Sequence, residues 1–434
     1  MDFMVSSTIS WIAALAGLVV AIILILKKFN PVYSLFLGAI IGCLLGGLSF
    51  AQTINIIISG TQSVIGTAIR VLAAGILAGV MMESGAAETI AHAIVTKMGN
   101  KQALLSLALS TMIITAVGVF IPVAILIVAP IALSVGKQTG ISKLALLTAL
   151  SGGGKAGNII SPNPNTIAAA NGFHLNLSSV MLAGLIPALF GLVTAVLVAS
   201  LIKNKGQAVK EHDLDDNSTQ KELLPLRKAL IAPGLAIILL LLNPIGSVLH
   251  ISFLTKLDID AMYILPFSSV VGTLAMGQGK KIARYAHLGL TKVTDTVLIL
   301  LGAGAIAGLI STSNLSTQIV NLIDNIGISG TFLAPISGIL MGLAVGSTST
   351  AVILATGSFG KAILDTGTSA LAGAVMVHTG ATVIDSVPQG NYFHITAQSM
   401  HMSIKERIQV IPYEMCVGGV MTLVATILYG FILK

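Results

Sequence analysis

Charge is scarce in this chain. Asp, Glu, Lys and Arg make up 9% of its 434 residues, against about a quarter in an ordinary soluble domain, so it cannot cover its own surface in water. Cysteine is nearly absent as well. Cys43 and Cys416 both lie inside apolar runs, which excludes a disulfide framework and a thiolate metal site. The longest polar stretch, 203–228, is too short to be a soluble domain. A phosphate-binding loop and a paired catalytic set are missing, and Glu88 with His92 does not make a metalloprotease pattern. These absences argue against an enzyme and leave no cofactor or metal to expect. The net charge of +7 does not point to nucleic acid either, because the basic residues sit in short clusters between apolar segments.

What is abundant is apolar surface: 55% of the residues are hydrophobic and the mean hydropathy is +0.97. Runs such as Trp11–Leu26, Met181–Ile202 and Ile411–Ile432 approach the ~20 residues that carry a helix across ~30 Å of hydrocarbon. Read as helices, they predict an all-α polytopic membrane protein. The spans fall near 9–26, 32–48, 64–83, 143–171, 179–202, 229–243, 261–277, 293–312, 367–397 and 409–432. Segments 102–136 and 330–360 read as hairpins that enter the membrane and turn back. The first run has no basic leader and is followed by Lys27 and Lys28, so it reads as a retained anchor. With both termini outside, only Lys256, Lys361 and Lys434 of the 23 Lys and Arg fall outside, while Arg70 and Lys155 sit at membrane depth. That bias satisfies the positive-inside rule and puts the linker 203–228 in the cytoplasm. Arg70 either faces an aqueous cavity or snorkels to the surface.

The chain also repeats itself. AGILAG at 74–79 is echoed by AGAIAG at 303–308, Gly154–Pro162 by Gly380–Pro388, and Ile186-Pro187 by Ile411-Pro412, at offsets of 229, 226 and 225 residues. Five crossings in each half make the copies, 1–202 and 229–434, inverted relative to each other, an architecture common among secondary carriers. Each half interrupts a helix with turn formers. The first break runs from Ser151 to Thr166, with Gly154, Lys155, Asn158, Ser161, Asn163 and Asn165 as candidate substrate ligands. Its four glycines and two prolines argue against continuous helix. The second break, His378–Asn391, contributes Thr379 and Asn391, with Asp385 and His378 as titratable candidates for coupling. Exposed amides and half-helix starts in such breaks favour an anion. The tip of the second hairpin adds Ser347, Thr348, Ser349 and Thr350, hydroxyls that either coordinate substrate or bond between helices, whereas the first tip, Ala116–Pro122, is apolar. Lys155 can pair with a substrate carboxylate while Asp385 exchanges a proton, or the two can simply neutralise each other.

At these residues the chain resembles the gluconate permease family of sugar-acid:proton symporters, within the ion-transporter superfamily. The likeness covers nearly the whole chain and rests on SGGGKAGNIISPNPNTIAAANGF at Ser151–Phe173, VGSTSTAVILATG at Val345–Gly357 and HTGATVIDSVPQGN at His378–Asn391. The resemblance implies an inner-membrane transporter of elevator type. Elements near 102–202 and 330–432 would form the mobile part, and helices near 9–48, 64–83, 229–277 and 293–312 a scaffold that dimerises. It implies a small hydroxylated monocarboxylate as cargo and a proton as coupling ion. Lys155 and its neighbours replace the family's usual histidine, which shifts the expectation from gluconate to a shorter acid such as glycerate. A sodium-coupled carrier, with ions held by break carbonyls and Ser161, Asn163 and Asn165, is the alternative. An ion channel is the more distant one.

Overall fold

Backbone groups in lipid can be satisfied only within the protein, so long apolar runs close their hydrogen bonds as helix, and all ten expected spans fall on helix. The computed structural model describes residues 9–214, 223–251, 253–254, 259–326 and 329–433. The first half contains α1 (Trp11–Leu26), α2 (Pro31–Leu45), α3 (Phe50–Ser63), α4 (Ile65–Glu83) and α5 (Ala86–Met98). It continues with α6 (Ala103–Ala116), α7 (Ile121–Thr139), α8 (Lys143–Asn158), α9 (Pro164–Gly172), α10 (Leu177–Ala183) and α11 (Leu185–Leu201). The second half has α12 (Ile231–Val248), α13 (Ala261–Ala275), α14 (Ile282–Ser311) and α15 (Leu315–Ile326). After these come α16 (Leu333–Val345), α17 (Thr348–Asp365), α18 (Ala370–Ala381), α19 (Asn391–Ser399), α20 (Ile404–Ile408) and α21 (Ile411–Ile427). From α4 and α14 onward, the two halves run through the same order of elements.

Side chains are sorted as lipid requires. On α11 the large residues Leu185, Leu189, Phe190, Val193, Leu197 and Leu201 are exposed, while Ala188, Gly191, Ala195 and Ala199 are buried. Without a hydrophobic drive between helices, close packing by small residues holds such a bundle together. One crossing shows this and relates the halves. A Cβ on Gly60 would lie 2.2 Å from the carbonyl oxygen of Gly304, and one on Gly289 would lie 2.1 Å from that of Gly75. Gly60 and Gly289 differ by 229 residues, as do Gly75 and Gly304, so the contact is reciprocal. As residue number rises along α3 and α4 it falls along α14, and the two rods therefore cross antiparallel.

Three expectations need correction. Residues 50–63, left between spans, form α3, so α3 and α4 together match α14 with one interruption at Val64. The span expected at 293–312 begins at Ile282 and runs 30 residues. The first break is also shorter than Ser151–Thr166: α8 stays helical through Asn158, and only 159–163 is irregular. The glycines there serve packing. A Cβ on Gly153 would come within 1.9 Å of the Ala108 carbonyl oxygen, and one on Gly157 within 2.0 Å of that of Met112, so α6 can lie directly on α8. In the second half α18 likewise continues to Ala381, leaving 382–390 irregular.

The two hairpins appear as α6–α7 and α16–α17. With 14 and 13 residues, α6 and α16 are about 20 Å long at ~1.5 Å per residue, short of the ~30 Å of hydrocarbon. Their tips and the two breaks converge in the interior. The linker is docked where it is described: Ser142 and Lys143 amides donate to the carbonyls of Lys203 and Gln207, and Lys143 Nζ reaches Asp213 at 2.6 Å. Residues 215–222 of the linker lie outside the described residues.

Candidate functional site

The site begins with how each break is closed. Asn163 caps α9, its Oδ1 accepting the amides of Asn165 at 2.8 Å and Thr166 at 3.1 Å. Its Nδ2 donates to the Asn158 carbonyl at 2.7 Å and to Asn158 Oδ1, tying the end of α8 to the start of α9. The helix ends on either side of the irregular backbone are thus closed by Asn163. Two polar atoms in this break, Asn158 Nδ2 and Ser161 Oγ, are buried without a partner among the described residues.

Across from it, Asp385 gathers the second break. Its Oδ1 accepts Lys155 Nζ at 2.6 Å and Ser386 Oγ at 2.9 Å, and its Oδ2 accepts Thr348 Oγ1 at 2.5 Å. Lys155 Nζ also donates to the Thr382 carbonyl at 2.5 Å. Lys155 is fully buried, so its charge is spent on the second break and does not face open space. The pair joins both breaks and the second hairpin tip in one knot. Ser349 Oγ donates to Asn165 Oδ1 at 2.5 Å, a second tie from that tip to the first half. The tip turns at Gly346, whose φ of +64° suits a residue without Cβ. A Cβ on Gly390 would sit 2.0 Å from the Gly346 carbonyl, so tip and break touch backbone to backbone.

These elements enclose a cavity of about 630 Å³. Asn158, Asn165, Ser347, Thr348, Ser349, Thr350, Asp385 and Asn391 all line it, as do Phe120, Ile121 and Pro122 of the first tip. Gly154, Lys155, Ser161, Asn163, Thr379 and His378 do not. Thr379 bonds back to the Val375 and Met376 carbonyls of its own helix, and both ring nitrogens of buried His378 are unpartnered among the described residues. The starts of α7, α17 and α19 face the cavity, each with the positive end of a helix dipole, although on α7 Pro122 has no amide hydrogen and on α17 the Thr350 amide is capped by Ser347 Oγ. Lys28 and Asp295 form part of the opposite wall.

Sequence reasoning missed Tyr392, His394, Lys28 and Asp295 as lining residues, although Asp295 is an acid within an apolar run and could have been flagged on that ground. It also missed a fully buried pair, Arg407 with Glu414, at 2.8 Å. Arg70, left undecided above, pairs with Asp260 at 2.5 Å and donates to Asn171 Oδ1 at 3.2 Å, beside a smaller cavity of about 200 Å³.

Solved transporters share this architecture. The Alcanivorax borkumensis YdaH transporter superposes with a TM-score of 0.63 at 16% identity, over 89% of this chain and 90% of its own. That likeness defines the class of fold, a polytopic bundle of helices. Within it the chain belongs to the GntP family of permeases, whose family model matches residues 9–432. It is 47% identical to a Haemophilus influenzae protein described as an uncharacterized transporter, over 98% of this chain and 99% of that one. It is 25% identical to the Escherichia coli K12 D-serine transporter DsdX, over 80% and 82%. With the high-affinity gluconate transporter of Escherichia coli K12 it shares 22%, over 84% of each. The protein is therefore an integral inner-membrane permease and not an enzyme.

Proposed function

We propose that this permease is a secondary active transporter importing a small hydroxylated monocarboxylate, glycerate or a gluconate-like sugar acid, by proton symport. The observation that carries the reading is one cavity in which three helix starts, the hydroxyl-rich tip Ser347–Thr350 and Asp385 meet. Helix starts suit a carboxylate, and the tip hydroxyls and Asn165 suit the cargo's own hydroxyls. The names of two relatives, a gluconate and a D-serine transporter, fit cargo of this size and polarity. Because Lys155 is committed to Asp385, the carboxylate rests on backbone amides and not on that lysine.

Asp385 supplies the link to the proton. While ionised it accepts from Thr348 and Lys155. A proton on Oδ2 makes that oxygen a donor to Thr348 Oγ1, which frees the threonine hydrogen for a ligand in the cavity. Proton and cargo thus share one hydroxyl. The reciprocal antiparallel crossing at the 229-residue offset supports an inverted repeat. In this reading the hairpins and broken helices, near 102–202 and 330–432, move as an elevator against a dimeric scaffold of the remaining helices. Both termini lie outside and the linker lies in the cytoplasm. Lys28 then places the cavity mouth on the cytoplasmic side.

Uptake of radiolabelled glycerate and gluconate into liposomes, under an inward proton gradient without sodium, tests the proposal. Accumulation of either acid that collapses with a protonophore is the expected result. Uptake that appears only on adding sodium would replace the proton by sodium, and conductance far above carrier turnover would replace the carrier by a channel.

A further inference from the structure

A further buried ion pair lies behind the cavity wall, and nothing in the transport reading uses it. Arg407 and Glu414 are both fully buried. Their carboxylate–guanidinium contact is bidentate, at 2.8 and 3.0 Å. Charges buried this deeply cost more in desolvation than they return unless every group is engaged, and well-packed apolar residues often replace them without loss of stability. The partners of this pair all point one way. Arg407 Nε donates to Thr396 Oγ1 at 2.8 Å, and its guanidinium stacks 5.5 Å from the Tyr392 ring centre and 5.1 Å from that of Phe393. Glu414 Oε1 accepts Tyr392 Oη at 3.0 Å and Ser151 Oγ at 2.6 Å. Tyr392, Phe393 and Thr396 belong to α19, whose first turn opens on the cavity, and Tyr392 itself lines it. Ser151 lies one turn before Lys155 on α8.

We propose that Arg407 and Glu414 are positioning residues for the substrate site. They hold the start of α19 through Tyr392 and lock it to α8 through Ser151. The pair touches no cargo. It fixes where the amides at Asn391 and Tyr392 point, and ties that direction to the helix that carries Lys155. Tyr392 is the single hydroxyl through which Glu414 reaches the cavity wall. As a claim about cargo binding, the inference rests on the transport reading above; as a claim about α19, it does not.

The test therefore has two arms on the full-length protein in detergent or liposomes. Hydrogen exchange of the α19 amides needs no cargo. Glu414→Gln and Arg407→Lys are expected to speed exchange in Asn391–Ser399 while the amides of α13, which contributes no residue to this cavity, keep their wild-type rates. The uptake arm compares KM with maximal rate for whichever acid the wild type transports. Losing a charge-assisted bond at this position is expected to raise KM about tenfold or more, with the maximal rate per folded protein within about threefold. Tyr392→Phe removes only one hydroxyl and keeps the variant set informative if the charge variants fail to fold. Its KM is expected to rise, and Glu414→Gln is expected to add less on top of it than it does alone, because the two share the Tyr392–Glu414 contact while each also reaches Ser151. A KM unchanged in Tyr392→Phe, or α19 exchange unchanged in the charge variants, overturns the proposal. A wild type that transports no tested acid sinks the transport reading and leaves the exchange arm standing.

Discussion

At the scale of single residues, Lys155 and Asp385 carry the clearest consequence. Each neutralises the other where both side chains are buried, so removing one charge strands its partner. Lys155→Ala and Asp385→Asn are each expected to cost about 3–5 kcal/mol, and the double variant clearly less than the sum. Thermal melts of the four proteins in one detergent measure this. Coupling separates from stability in the same variants. If Asp385 carries the proton, the Asp385→Asn protein no longer accumulates cargo against a gradient; accumulation with unchanged pH dependence would remove Asp385 from that role. The sequence placed both residues in breaks, but their pairing required the fold, since 230 residues separate them. Arg407 and Glu414 gave a weaker signal, because each could pass for an ordinary loop or helix-end charge.

Elements behave according to what lies beside them, and glycine shows it best. Propensity alone marked Ser151–Thr166 as a place where helix fails, yet α8 runs through Gly152, Gly153, Gly154 and Gly157. Packing makes up for poor helix propensity: the missing Cβ of Gly153 and of Gly157 admits a backbone carbonyl of α6, while Gly152 and Gly154 admit the side chains of Ala195 and Ile121. Gly153→Ala is therefore expected to destabilise by about 1–3 kcal/mol or more, since its Cβ must displace backbone and not a flexible side chain. Gly234, inside α12, has open space around it. Gly234→Ala is expected to be neutral or stabilising by up to about 1 kcal/mol. Melting temperatures of the two variants side by side decide whether packing or propensity governs these helices.

For the whole molecule, the question is what joins the parts. Arg70 on α4 grips Asp260 at the start of α13 and reaches Asn171 at the end of α9, so it bridges three segments far apart in sequence. If α9 moves against α4 during transport, a reducible bis-thiosulfonate cross-link spanning Arg70→Cys and Asn171→Cys should arrest uptake, and a reductant should restore it. Uptake that survives full cross-linking would mean the contact persists through the cycle. The linker makes a second joint. Burial raises the pKa of the Asp213 carboxyl, but bonds from Lys143 and the Lys210 amide, with the charges of Lys143 and His212, outweigh it and leave the group below its ordinary value. Its contribution is complete above the unfolded-chain value of about 3.9 and fades as pH falls through the lower folded value. Exchange of Gln207–Asp213 amides should therefore accelerate only below about pH 4, and Asp213→Asn should show the faster rate already at neutral pH.

The sequence by itself determined that the chain is a helical membrane protein and where most of its helices fall. Those properties are local, since hydropathy sets the helices. It also marked most of the cavity lining, because polar turn formers between apolar helices are costly anywhere except around a cavity. What only the tertiary structure decided is which polar groups face that cavity and which are spent on one another. Lys155 turned inward to Asp385, Asn163 closed its own break, and Arg407 found Glu414, because a buried charge takes whatever partner the packing brings within reach. Sequence distance says nothing about that reach.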